Sequence, residues 1–281
     1  MIELSIVIVS FNVREDLLRC LASLSECPPQ VPHDITVVDN ASSDGSLEAV
    51  RDRFPGVRRI ALDRNVGFAA ANNAGIRATG GRLILLLNSD TIVPRGAIDR
   101  LVERLAARPG TSVAGPRLVD AQGRAELSFG AMIGPFTEAR RKLVMWLYGR
   151  RWRPAVWWVE RATRRERLAD WVSGACLLVP RAGAEAVGLL DERFFLYTED
   201  VDFCAALRAR GGRVLFTPAA EVTHLRGRSR AAAPAASTAA YRRSQLAFYE
   251  KHHPAWAPLL KWYLGFRLWA LGFGGLRKPK A

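Results

Sequence analysis

Apolar runs that stop abruptly at polar side chains recur up to Asp90. Leu4–Ser10, Ile35–Asn40 and Leu83–Leu87 are the clearest, the last followed by Asn88-Ser89-Asp90, and Val57–Leu62 offers a further strand. Aliphatic runs without alternation predict strands buried on both faces of a parallel sheet. Between them, the stretch from Phe11-Asn12 to Cys27-Pro28-Pro29, Leu47–Phe54 and Ala69–Ile76 read as helices; the Ser- and Asp-rich turn Ala41–Ser46 caps the second, and the third is built of small residues that let it lie close to the sheet. Alternation at this spacing predicts a doubly wound α/β sheet. Such sheets bind ligands at the carboxyl edge of their strands, where Asn88 and Asp90 fall. A carboxylate there needs a partner, and a cation is the natural one; a turn leading to a helix cap is the alternative.

Beyond Asp90 the pattern predicts a helix over Gly96–Arg108, a strand over Ser112–Gly115 and a hairpin over Leu118–Arg124 with its turn near Gln122-Gly123. Residues 136–170 interrupt the series with Arg, Lys and Trp. They read as an amphipathic insertion that rests on a membrane or covers a cleft, with a solvated charged helix carrying core-facing Trp as the alternative. Trp171–Arg181 is a strand entered through Ser173-Gly174. Thr198-Glu199-Asp200 opens a helix running to Arg210, where Glu199, Asp200 and Asp202 crowd together after an aromatic run, which suggests a base at a cleft wall. A short strand Val214–Thr217 precedes His224, Ala231–Ala236 reads as linker, and a helix runs from Tyr241 through Lys251.

The 281 residues are 49% hydrophobic, enough for a large α/β domain with appendages, and carry a net charge of +14 that implies an anionic partner. All eight Trp fall between 146 and 171 or between 256 and 269, interleaved with Arg and Lys, a composition suited to an anionic membrane surface or to a single-strand nucleic-acid groove. Residues 254–281 read as a monotopic membrane-associating segment, since Lys261, Arg267 and the glycines 272, 274 and 275 break any long apolar span. Cys20, Cys27, Cys176 and Cys204 form no CxxC pair, which suggests neither zinc nor a disulfide framework, and the opening residues do not read as a secretory signal. The expected place is the cytosol or the cytoplasmic face of the inner membrane. Neither a P-loop nor a GxGxxG follows the first strand.

Four ordered blocks then carry a resemblance: Ser5–Asn12, Val37–Ser46, Asn65–Asn73 and Leu86–Asp90. Together they resemble the nucleotide-sugar half of a family 2 glycosyltransferase of GT-A fold, and the Asn-x-Gly-Phe form of the third block resembles the rhamnosyltransferase branch. With later matches the resemblance covers residues 3 to 253, implying a domain over 1–253 with a nucleotide-sugar half (1–115) and an acceptor half (116–253). It implies that Asp39 reads a uracil or thymine base, that Ser10, Asn12, Asn65, Gly67, Asn73, Asn88 and Ser89 line the nucleotide sugar, and that Asp90 holds Mg2+ or Mn2+ with His224 as a further ligand. A buried or capping amide is the alternative for Asn73. Asn88 stands where the family motif has its first Asp, which weakens the site electrostatically although an amide oxygen remains a hard ligand. Arg228, with Arg226 and Arg230, would clamp the diphosphate, and Asp200, beside Glu199, would be the catalytic base. Neighbouring Glu199 would raise the pKa of that pair, and the helix terminus would lower it.

The resemblance implies an inverting, metal-dependent transfer of a sugar, L-rhamnose from dTDP-L-rhamnose, to a lipid-linked or polysaccharide acceptor. A galactofuranosyl or other hexosyl donor is the rival. A nucleic-acid-binding protein would leave the sheet-edge carboxylates unexplained, because acids repel phosphate unless a metal intervenes, and a non-catalytic membrane-surface protein would not require Asp39, Asp90, Asp200 and His224 together.

Overall fold

The computed structural model describes residues 2–225 and 234–270. Its first half follows the predicted alternation: β1 (Leu4–Ser10), α1 (Arg14–Glu26), β2 (His33–Asp39), α2 (Ser46–Arg53), β3 (Arg58–Ala61), α3 (Phe68–Arg77) and β4 (Leu83–Asn88). Strands β3, β2, β1 and β4 lie side by side in parallel. Ser10 is level with Asp39, and Val9 with Asn88, so the polar ends of the apolar runs form one edge.

The second half is β5 (Thr91–Ile92), α4 (Ala97–Ala106), β6 (Thr111–Val119), β7 (Phe129–Gly130), α5 (Pro135–Gly149), α6 (Arg153–Thr163), β8 (Arg167–Ala169), β9 (Trp171–Val172), β10 (Cys176–Pro180), α7 (Arg181–Ala186), α8 (Glu199–Ala209), β11 (Arg213–His224), α9 (Pro234–His252) and α10 (Ala257–Ala270). The sheet continues from β4 through β10, β6 and β11 to β5, with β8 also on β11. Strand β10 runs antiparallel to both β4 and β6, so β6 and β11 recover the direction of β4. The sheet is mostly parallel, with helices on both faces. Leu17 and Leu21 of α1 and Leu101 of α4 fill one face, while Ile76 of α3 and Phe203 and Leu207 of α8 fill the other.

Three expectations change. The hairpin after β6 shrinks to a Val119–Ala125 bridge around a turn in which Asp120 Oδ1 accepts the Gln122 and Arg124 amides at 2.9 Å each. Strand β11 does not stop at Thr217: a register shift between Thr217 and Glu221 absorbs the interruption at Pro218, and the strand resumes on β6 as far as His224. Helix α9 starts at Pro234, not at Tyr241. Proline suits a first helical turn and the alanines that follow favour helix, so this part of the linker reading is overturned.

Candidate active site

The carboxyl edge of the parallel strands gathers the predicted donor residues. Asp39, buried at the end of β2, accepts the Ser42 amide through Oδ2 at 3.0 Å, while Oδ1 is buried without a hydrogen-bond partner. Ser10 is buried at the level of Asp39, and its Oγ also lacks a partner. Orphaned buried oxygens are costly, and together these two mark a place where a ligand's donor groups would be welcome. Asn12, with φ 52°, binds the loop after β2: its amide donates to Ser42 Oγ at 2.9 Å, and its Oδ1 accepts the Ser43 amide at 2.8 Å. Asn40 fastens the third block, donating to Asn65 Oδ1 at 2.9 Å and accepting the Val66 amide at 2.9 Å; Asn65 Oδ1 also accepts the Gly67 amide at 3.0 Å.

Two residues of that block serve the fold. Gly67 has φ +90°, and a Cβ there would stand 2.6 Å from the Phe195 carbonyl oxygen, so the close approach it permits is to Phe195. The Phe68 amide donates to that same carbonyl at 2.7 Å. Asn73 departs from the expected lining role. It is buried, its Nδ2 donates to Leu190 O (2.8 Å) and Glu192 Oε1 (2.9 Å), and its Oδ1 accepts the Leu190 amide (3.1 Å), so its polar groups are consumed in joining α3 to the segment between α7 and α8.

Beyond β4, Asp90 Oδ1 lies 3.2 Å from His224 Nε2, and Asn88 Nδ2 lies 3.5 Å from the same nitrogen. Pairing of β5 with β11, which sets His224 opposite Thr91, brings them together. Glu126 Oε2 takes the other side of the imidazole at 3.2 Å from Nδ1, the kind of partner that fixes a ligating histidine's orientation. Burial disfavours the charged imidazole, but hydrogen bonds to Asp90 and Glu126 outweigh it and push His224 up to about 9. Among the described residues no three His, Cys, Asp or Glu side chains are grouped to hold a metal by themselves. The donor set nevertheless suits a hard divalent ion, because Asn88 Oδ1 is a buried oxygen with no hydrogen-bond partner beside the Asp90 carboxylate and the imidazole. Serine 89, between them, is buried in the turn after β4.

Asp200 lines a cavity of about 170 Å³ with Ser173, Trp171, Thr198, Tyr241 and Arg141. Tyr197 and Thr198, at φ 70° and 67°, turn the chain sharply into α8 and present its first turn to the cavity. Asp200 accepts the Gly174 amide through Oδ2 and the Val201 amide through Oδ1, each at 2.8 Å. Burial nonetheless raises its pKa, over the opposing effect of those amides and of Arg141. Glu199 is buried, does not line the cavity, and is raised well above the ordinary glutamate value by burial and by the Asp200 charge. The competition at this helix terminus therefore goes to burial.

The two halves of the site are joined by backbone. The Asn88 amide donates to Ala175 O at 2.9 Å, and the next residue back, Gly174, supplies the amide held by Asp200. Arg228, with Arg226 and Arg230, lies outside the described residues. Pattern reasoning did not single out Glu126 or Arg141. Glu126 leaves a trace, an isolated acid within the apolar Ala125–Phe129, whereas Arg141 is one of many cations in a basic stretch.

The family model for glycosyl transferase family 2 matches residues 5–166. Over 274 residues, 93% of this chain and 89% of the relative, the sequence is 31% identical to an N-acetylglucosaminyl-diphospho-decaprenol L-rhamnosyltransferase of Mycobacterium tuberculosis. It is 28% identical over 239 residues to the O-antigen biosynthesis protein RfbC of Myxococcus xanthus, a match that spans 80% of this chain and 18% of that protein. Among solved structures it is similar to the mannosyltransferase PcManGT from Pyrobaculum calidifontis in complex with GDP-Man and Mn2+, with TM-score 0.59 and 16% identity over 92% of this chain and 68% of that one. It is also similar to GalNAc-T7 with UDP, GalNAc and Mn2+, with TM-score 0.59 and 18% identity over 80% of this chain and 44% of that one. At such identities the likeness shows the fold, which is GT-A, as the sequence motifs implied.

Proposed function

This chain belongs to glycosyl transferase family 2, and on that premise we propose that it transfers L-rhamnose, with inversion, from dTDP-L-rhamnose to a sugar carried on a lipid diphosphate. The observation that carries the proposal is the short backbone link from Asn88 through Ala175 and Gly174 to Asp200, which supports reading the Asp200 carboxyl as a base near the donor edge. The name of the Mycobacterium tuberculosis relative supports the choice of sugar and acceptor class.

Asp39 Oδ1 is the acceptor for the N3–H of the thymine ring, a donor that would satisfy its orphaned oxygen. Asp90, His224 and Asn88 Oδ1 would hold Mg2+ or Mn2+. Held there, such an ion would supply positive charge that stabilises the departing nucleoside diphosphate. Asp200 receives the proton of the acceptor hydroxyl as that oxygen attacks the anomeric carbon on the face opposite the diphosphate. One carbon–oxygen bond forms as the sugar–phosphate bond breaks, and no general acid is required, because the leaving group departs as an anion. The raised pKa makes Asp200 a stronger base than an exposed carboxylate.

Helix α5 covers the base cavity with Thr137, Glu138, Arg141 and Lys142 and turns Phe136, Leu143 and Trp146 to the exterior, which supports a peripheral position at a membrane that carries the acceptor. A panel of sugar nucleotides tests the proposal, with a GlcNAc-diphosphate lipid as acceptor and Mg2+ or Mn2+ in detergent. We expect turnover of dTDP-L-rhamnose and none of UDP-galactofuranose or UDP-glucose. Turnover of UDP-galactofuranose alone would establish the rival donor, and inertness toward every donor with either metal would overturn the transferase site.

A further inference from the structure

Beside the Asp200 cavity, and sharing Leu127, Ala131, Thr137 and Arg141 with it, lies a second cavity of about 300 Å³. Its charge comes from Arg140 and Arg141 on α5 and Arg167 on β8, against a single acid, Asp170. Asp170 is already engaged: Oδ2 accepts the Met132 amide at 2.7 Å and Oδ1 pairs with Arg208 at 2.8 Å. No carboxylate pairs with Arg167 among the described residues. One of its terminal nitrogens donates to Ala162 O at 2.8 Å, the guanidinium lies 5.0 Å over the Phe129 ring, and Nε is buried with no hydrogen-bond partner. A buried cationic N–H without an acceptor is costly, and the planar fork of arginine matches phosphate oxygens. The remaining wall is apolar, through Val144, Leu168 and Trp158, and Trp158 is 39% exposed beside Trp157 at 63%.

We infer that this second cavity binds the diphosphate of a lipid-linked acceptor, with Arg140, Arg141 and Arg167 on its oxygens and Trp158 along the first carbons of the lipid. The inference rests on the proposed transferase reading, in which the adjoining cavity takes the acceptor sugar. A sugar joined directly to a lipid diphosphate requires a base pocket adjoining a site that offers both cations and apolar surface, and the second cavity, which shares a wall with the Asp200 cavity, offers both. Arg141 lines both cavities and Arg140 is its neighbour on α5, so the anchored diphosphate limits how far the sugar can wander from Asp200.

The test uses the full chain in detergent with the donor crevice saturated by thymidine diphosphate and Mg2+, and titrates geranyl diphosphate calorimetrically. Wild type is expected to bind it, and Arg140→Gln and Arg167→Gln to bind at least tenfold more weakly, while thymidine diphosphate affinity stays unchanged in both. Arg140 is exposed on α5, so its variant keeps the test valid if Arg167→Gln folds poorly. Undiminished geranyl diphosphate affinity in both variants, or none in wild type, would overturn the inference. Vesicles of phosphatidylglycerol separate a bulk headgroup site from an acceptor site. Equal vesicle binding by wild type and variants supports the acceptor site, and variants that lose vesicle binding yet keep geranyl diphosphate overturn it. Absence of thymidine diphosphate binding in every protein would count against the donor reading alone, because the geranyl diphosphate titration still reads the arginines.

Discussion

Glu199 and Asp200 are consecutive carboxyls that the fold treats differently. Asp200 has two backbone amides and a cavity in front of it, whereas Glu199 Oε2 is buried without a hydrogen-bond partner. With its pKa raised well above the ordinary value, Glu199 keeps its proton more firmly in the folded chain than in the unfolded one. The stability this contributes is fully present below the unfolded pKa and is lost as pH rises through the folded one. Glu199→Gln keeps the shape without the titration. Its Tm should therefore exceed that of wild type by about 2–4 °C once pH passes the raised pKa, the response to roughly 1 kcal/mol in a domain of this size, and the gap should close toward acid. Thermal unfolding across pH checks this, and a gap that widens toward acid would refute it. At this scale the sequence was legible where a polar residue closes an apolar run, since the structure sets Asp39 at the end of β2 and Asp90 just beyond β4, at one edge of the sheet. It was opaque for Asn73, because an amide that lines a ligand and one that fastens two segments look identical until their partners are known. Glu126 and Arg167 acquire their meaning only from strands that are distant in sequence.

At the scale of elements, the strand and helix assignments of the first half follow from hydrophobic pattern because β1, β4 and the second half of β2 are buried on both faces and each connection is short. The small-residue character of α3 was equally readable, and the structure shows its cause. A Cβ on Gly75 would stand 2.4 Å from Val7 Cγ1 and 2.9 Å from Val38 Cγ2, so the helix rests on β1 and β2 at glycine distance. Gly75→Ala should destabilise by about 1–3 kcal/mol through overpacking, whereas Gly80→Ala, whose Cβ would meet nothing within 4 Å, should leave Tm near wild type. Thermal unfolding of the two variants checks the contrast, and equal Tm values would contradict the packing. The antiparallel insertion of β10 was not readable, since a buried aliphatic strand carries no mark of its direction. Nor was the role of Glu138, which accepts from Tyr241 (3.1 Å), Gln245 (2.6 Å) and Tyr249 (3.3 Å) and so ties α5 to α9 over the base cavity. Its partners lie on a helix about a hundred residues away.

Over the whole molecule, the two Trp-rich segments that composition singles out meet. Phe136 at the start of α5 packs edge-on against Trp256 just before α10, with ring centroids 6.3 Å apart. Trp146, Trp157 and Trp262 are 52%, 63% and 67% exposed, more solvent-facing indole than a solvated surface ordinarily keeps. No helix among the described residues is long and apolar enough to cross a membrane. The exposed rings and the net charge of +14 fit the peripheral position proposed above, and composition did not show which segments touch. The donor sugar is set by the shape of a pocket, which spacing does not encode. The central claim is a division of labour, with Asp90 on the donor edge holding the nucleotide sugar and Asp200 across the β4–β10 link taking the proton. It is tested most directly by measuring donor-nucleotide affinity and sugar transfer side by side for wild type, Asp90→Ala and Asp200→Asn. The account predicts that Asp90→Ala loses metal-dependent nucleotide affinity, and that Asp200→Asn binds the nucleotide as wild type does while transfer falls roughly 10²–10⁴-fold. Transfer by Asp200→Asn within tenfold of wild type, or a loss of nucleotide affinity equal to that of Asp90→Ala, would contradict it.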